Sequence, residues 1–214
     1  MPELHSVALF VVAGLALNLT PGPDMLYIAA RGASEGRAAG VVSALGVTAG
    51  TLVHIALVAG GLAALLAAVP VAYAAVRLAG AAYLVALGLR ALMRPSGLVG
   101  RALGGGRPRV AASRWAVFRQ GVITNVLNPK VALFCLAFLP QFVDPSRGRP
   151  AVQVLALGLL FNTTSTLVNL AVALGASRAA ARLRQSARAA RLLERATGAL
   201  FVGLGVRLAV GGRR

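Results

Sequence analysis

Apolar residues fill this chain in long stretches parted by short polar gaps. The stretches run from Leu4 to Ala33, Ala38 to Val69, Tyr73 to Met93, Trp115 to Val143, Ala151 to Ala176 and Leu192 to Val210. Each is near or beyond the roughly 20 residues that a helix needs to cross hydrocarbon. The pattern predicts an all-α, polytopic membrane helical bundle of about six transmembrane helices. Two stretches are interrupted. The first is broken at Asn18-Leu19-Thr20-Pro21-Gly22-Pro23-Asp24 and the fourth at Asn125-Val126-Leu127-Asn128-Pro129-Lys130. Each break puts proline, polar groups and one charge where a helix should be crossing the bilayer.

Proline removes a backbone donor and clashes with the preceding turn, so both helices should truly break. Thr20 before Pro21, and Asn128 before Pro129, read as an N-cap followed by proline at the first helical position. Each break then starts a half-helix whose free N–H groups point into the membrane. Irregular backbone at that depth is tolerated only within protein or beside water, and a helix N-terminus suits a carboxylate. Two spans separate the broken ones, so they run in opposite directions. A 3+3 inverted repeat gives that arrangement. One transporter domain, 1–214, is expected, with half-repeats of about 1–93 and 115–214 joined by the basic loop 94–114.

Composition agrees with a membrane protein: 58% of residues are hydrophobic, 13% are charged and the mean hydropathy is +0.79. The net charge of +17 invites a nucleic-acid reading, but aromatic content is only 5%. The arginines gather between apolar stretches, as the positive-inside rule describes, so no nucleic-acid partner is expected. The first, third and fifth gaps are the basic ones, which makes them cytoplasmic and puts both termini outside. Ser177 to Arg195 reads as a solvated basic loop, in preference to a helix lying on anionic lipid. Glu3 and His5 replace the basic start of a signal peptide, so the first stretch is expected to stay as a helix. Cys135, the only cysteine, reads as a small packing residue.

Asp24 and Lys130, the only lysine, are the charges expected at depth. An isolated charge at the bilayer centre costs about 2.5–3.5 kcal/mol on insertion scales. The two should therefore pair with each other or serve a substrate or proton, and both roles are compatible. Asn162, Thr166 and Asn169 share one helix face and read as lining of the same site, widened by Thr163, Thr164 and Ser165. Thr48, Thr51 and His54 recur at three-residue spacing, and His54 suits either proton relay or interhelical packing. Thr20, Pro21, Gly22, Pro23, Asp24, Asn128, Pro129, Lys130, Asn162, Thr166 and Asn169 form the expected substrate and proton site. No catalytic or metal-binding residues are expected.

The first break, Thr20-Pro21-Gly22-Pro23-Asp24-Met25-Leu26, resembles the first-helix motif of the LysE/RhtB amino-acid exporters, in their homoserine/threonine/neutral branch. Phe118-Arg119-Gln120-Gly121 through Asn125, Asn128-Pro129-Lys130 and Phe138-Leu139-Pro140-Gln141-Phe142 resemble the second motif, and the spans agree over essentially the whole chain. The resemblance implies a secondary exporter of small neutral amino acids in the plasma (inner) membrane, driven by proton antiport. No cofactor beyond the proton gradient is implied, and Gly-rich helix faces would permit a homodimer. Three other readings compete, one of them a purely structural or signalling membrane protein, which would show no substrate-dependent flux in vesicles. Metal-cation export is disfavoured because Asp24 is the only acid deep in a span. An intramembrane hydrolase lacks a Gly-x-Ser-x-Gly motif, although His54 and Ser165 exist on paper.

Overall fold

The structure, a computed structural model, describes residues 4–20, 22–62, 70–93, 113–185 and 187–210. Pro21 and most of the basic 94–114 segment lie outside the described residues. Helices make up the described chain, with no strand among these residues.

Helix α1 (Leu4–Leu19) ends at the first break, and α2 (Pro23–Ser34) restarts beyond it. The start of α2 differs from expectation. Gly22, in extended backbone, is its N-cap, and Pro23 takes the first helical position. Thr20 instead turns its hydroxyl back to the carbonyl of Ala16 at 2.7 Å. A threonine that satisfies the preceding turn in this way closes α1 rather than opening α2. Gly36, at φ 91°, turns the chain into α3 (Arg37–Leu57), which runs on through a π-helical turn, Val58–Leu62. Then come α4 (Pro70–Met93) and α5 (Arg114–Val126). Ser113 caps α5, its hydroxyl accepting from the Ala116 N–H at 3.2 Å.

After the second break, α6 (Pro129–Leu133) continues as a π turn, Phe134–Phe138, and a 3-10 turn, Leu139–Phe142. In the turn that follows, hydrogen bonds from Ser146 hold the Asp144 carboxyl below the usual carboxylate range. Helix α7 (Pro150–Gln185) and α8 (Ala187–Val210) complete the chain. Their bounds overturn the basic loop expected at Ser177 to Arg195, which is helical on both sides of residue 186. The reason is composition: Ala, Arg and Leu, which fill that stretch, are strong helix formers.

Arg37–Gly61 and Pro150–Gly175 are long and apolar enough to cross a membrane singly. The broken helices bend by 49° and 50° at their breaks, and counting each pair as one span gives up to four among the described residues. The other two expected spans correspond to α4 and α8. These pack along each other, but α4 carries Arg77 and Arg90, and the apolar part of α8 is only Phe201–Val210.

Helix α3 lies at the centre, against α2, α5 and α7. Its seam with α5 is tight because glycines line it. A Cβ on Gly46 would fall 2.2 Å from the Phe118 carbonyl oxygen, and one on Gly121 would fall 2.8 Å from that of Ser43. On the other side of the breaks, α1, the turns that follow α6, and α7 bury an aromatic cluster of Phe10, Phe134, Phe138, Phe142 and Phe161. The Phe134 and Phe161 ring centroids are 4.6 Å apart. Buried Cys135 packs in the same cluster.

The glycine seam gives a direct test. Gly46→Ala forces two backbones apart, and overpacking of this kind costs about 1–3 kcal/mol. Gly203, on an open face of α8, has nothing within 4 Å of its Cβ position. Thermal unfolding in detergent is expected to show a lower midpoint for Gly46→Ala and an unchanged or higher one for Gly203→Ala. Equal midpoints would contradict the close approach.

Candidate functional site

The two breaks meet, and a single carboxylate ties them together. Asp24 is the second residue of α2. Its Oδ2 accepts from Asn125 Nδ2 at 2.9 Å and from Asn128 Nδ2 at 2.8 Å. One amide is the last full turn of α5 and the other is the N-cap of α6. Both sides of the second break therefore grip the start of the second half of the first.

Each amide is oriented by its other end. Asn128 Oδ1 caps α6 by accepting from the Lys130 N–H at 3.0 Å, as its sequence position suggested. That leaves its NH2 group to face Asp24. Asn125 Oδ1 accepts from the Thr51 hydroxyl at 3.4 Å, and the Asn125 carbonyl lies 3.3 Å from His54 Nε2. Gly50 makes room for this: a Cβ there would fall 2.7 Å from Asn125 Cβ. So Gly50, Thr51 and His54, one face of α3, form a cradle for Asn125.

Lys130 does something other than pair with Asp24. The two side chains make no ion pair within 4 Å, although both are buried. Lys130 Nζ donates to the carbonyls of Leu17 at 3.0 Å and Thr20 at 3.1 Å. These lie at the C-terminal end of α1, where the dipole end is negative; the Leu17 carbonyl also accepts from the Thr20 N–H at 3.2 Å. The ammonium is thus a C-cap supplied across the interface. Gly22 gives it space, since a Cβ there would meet Nζ at 3.0 Å.

Two buried acceptors are left without a hydrogen-bond partner among the described residues: Asp24 Oδ1 and Asn162 Oδ1. An unsatisfied buried acceptor costs about 1–3 kcal/mol, and more when charged. Asn162 and Asn169 are buried on the inward face of α7, with Thr166 beside them. Thr166 bonds to Thr48 of α3 at 2.9 Å, and Asn169 Nδ2 reaches Ser165 Oγ at 3.4 Å. Thr164 receives a bond from Asn18 Nδ2 at 3.4 Å. Thr163 does not join them: it is exposed and bonded to its own helix at Leu159. Pro21 lies outside the described residues, while Pro23 and Pro129 take the first positions of α2 and α6.

Sequence reasoning passed over Asn125 as a site residue. Its signal was present: it is the amide just before the break, three residues ahead of the Asn128 cap. The carbonyl acceptors of Lys130 carry no side-chain signal. Among the described residues, no three His, Cys, Asp or Glu side chains gather as metal ligands would.

The model of the LysE type translocator family matches residues 15–212. The chain belongs to this family. An uncharacterized membrane protein of Pseudomonas aeruginosa is 34% identical over 207 residues, covering 94% of this chain and 93% of the relative. A leucine efflux protein of an Enterobacter species is 30% identical over 200 residues, with 94% and 93% covered. The leucine efflux protein of Salmonella choleraesuis is 28% identical, with 94% and 92% covered. No solved structure matches the chain. As a LysE type translocator the chain is a membrane transporter, and Asp24 and both breaks fall within the matched residues.

Asn128 is the residue most exposed to test, because it caps one half-helix and anchors the other. Losing the cap costs about 0.5–2 kcal/mol, and losing a bond to a carboxylate costs about 1.5–3 kcal/mol. Asn128→Ala is expected to lose about 2–5 kcal/mol of stability, read from the detergent unfolding midpoint. Asn162→Ala, which removes an unpartnered acceptor, is expected to lose less. The reverse order would contradict the assigned roles.

Proposed function

We propose that this translocator exports small neutral amino acids, leucine or threonine and homoserine among them, from the cytoplasm in exchange for protons. The observation that carries the reading is Asp24: a buried carboxylate with one oxygen held by two amides and the other unpartnered. A carboxylate is acceptor-only when ionised, so its free oxygen calls for a donor. A substrate ammonium or a proton meets that need, and alternation between them would couple the two fluxes. The leucine efflux proteins among the relatives support an amino acid as cargo.

The α-carboxylate of such a substrate has a natural partner in the start of α2. Gly22 caps that helix without a side chain, and Lys130 lies against it. The start of α6 is less open, because Asn128 already occupies its Lys130 N–H. A neutral side chain suits a site that offers one carboxylate and one ammonium and spends both on the backbone groups of an amino acid. The same scarcity of carboxylates disfavours a metal cation as cargo.

We also read the bundle as a 3+3 inverted repeat. Helices α1 and α2 pack on α7, while α5 packs on α3, which are the partner pairs that such a repeat exchanges. The arginine-rich gaps would face the cytoplasm and the bilayer would be the inner membrane.

Cells loaded with single amino acids and followed for efflux, with and without a proton gradient, test the proposal. Asp24→Asn keeps size and hydrogen bonding but removes the charge. Efflux is expected to fall at least about tenfold, equivalent to about 1.4 kcal/mol, with the protein still in the membrane. Undiminished efflux in that variant would sink the role given to Asp24.

A further inference from the structure

The geometry points to a gate along the seam between α2 and α5, with Tyr27, Arg31 and Gln120 as the residues that hold it shut. Asp24, Tyr27, Arg31 and Glu35 follow one another along α2 at spacings of three and four, and so share a face. That face is stitched to α5. The Tyr27 hydroxyl donates to the Val117 carbonyl at 2.6 Å. Arg31 Nη2 donates to Gln120 Oε1 at 2.7 Å. Glu35, with a side chain only 5% exposed, pairs with Arg31 Nη1, and the guanidinium carbon lies 5.7 Å from the Tyr27 ring centroid. These contacts hold Arg31 pointing across the seam. At the deep end, Asp24 bonds to Asn125 and Asn128 as described.

The two halves of the molecule are closed by different means. On the other side of the breaks, α1 meets the turns that follow α6 through rings, with the Phe10 centroid 5.6 Å from Phe134 and 5.3 Å from Phe142. The α2–α5 seam is instead closed by a few polar bonds, and Gln120 at its rim is exposed. Such bonds exchange readily for bonds to water, so this side can part at small cost once the deep end lets go. Asp24 is both the deep stitch of the seam and the group proposed to bind cargo. A ligand that competes for its carboxylate would loosen the seam from within. With the arginine-rich end of α2 in the cytoplasm, the gate faces the cytoplasm and the structure is closed on that side.

The inference rests on the proposed function only for what passes the gate, so it is tested first without any substrate. In a Cys135→Ala background, Val117→Cys places a buried thiol on the seam. A membrane-impermeant maleimide is applied to each face of sealed vesicles in turn. Adding Tyr27→Phe and Gln120→Ala is expected to speed labelling from the cytoplasmic face about tenfold, the effect of losing one or two hydrogen bonds. Labelling from the opposite face is expected to stay unchanged. Equal rates with and without the seam bonds, or acceleration only from the opposite face, would overturn the gate. A second arm guards against misfolding. A reducible bifunctional thiol reagent spanning Arg31→Cys and Gln120→Cys is expected to stop efflux, and reduction to restore it. Full efflux with the cross-link in place would overturn the gate, whereas absence of efflux from the uncross-linked protein, with the labelling result intact, would count against the cargo alone.

Discussion

The grip of two amides on one buried carboxylate holds the rest of the arrangement in place. Asp24 sits at the start of one half-helix, and Asn125 and Asn128 straddle the break before another. The Lys130 bonds to the Leu17 and Thr20 carbonyls are the second contact that registers the two breaks against each other. Charge decides why the Asp24 contact is strong. Hydrogen bonds to an ionised group are worth about 1.5–3 kcal/mol, against about 1 kcal/mol between neutral groups. Two of them are comparable to the insertion cost of a charge at the bilayer centre, about 2.5–3.5 kcal/mol. The two amide bonds therefore offset part of the cost of burying that carboxylate.

Lys130 completes the same economy of polar groups from the other side. Its ammonium answers the buried carbonyls of Leu17 and Thr20, while Asn128 answers the Lys130 N–H. The second broken helix thus caps the end of α1, while α6 keeps its own cap in Asn128. Proline starts each second half-helix, and contacts across the two breaks satisfy the polar groups there. Capping across the interface also explains why both charges can lie close together without forming an ion pair. Each is already committed to backbone or amide groups, which leaves one oxygen of Asp24 without a partner.

Much of this was legible in the sequence. Long apolar stretches fixed the class of fold, because hydropathy over some twenty residues has few other solutions. Asn128-Pro129 was readable as an N-cap because capping is local chemistry. Thr20-Pro21-Gly22-Pro23 misled for the same reason. It offers two prolines and two caps, and the choice of Gly22 depends on Lys130 lying against it, a contact made across 108 positions of sequence. The role of Lys130 was hidden because its partners are carbonyls, which every residue has. Asn125 was hidden by being one amide among several polar residues; its cradle of Gly50, Thr51 and His54 exists only once α3 packs on α5. The helical Ser177 to Arg195 stretch was misjudged from its charge, when its Ala, Arg and Leu content was the better guide.

The central claim is that cargo and proton take turns at Asp24. Purified protein in proteoliposomes, loaded with a labelled neutral amino acid and a pH-sensitive dye, reports both fluxes at once. Amino-acid movement in one direction should be matched by proton movement in the other, and a proton gradient alone should drive the amino acid against its own gradient. Amino-acid flux that proceeds with no accompanying change in internal pH, and that ignores an imposed gradient, would contradict it.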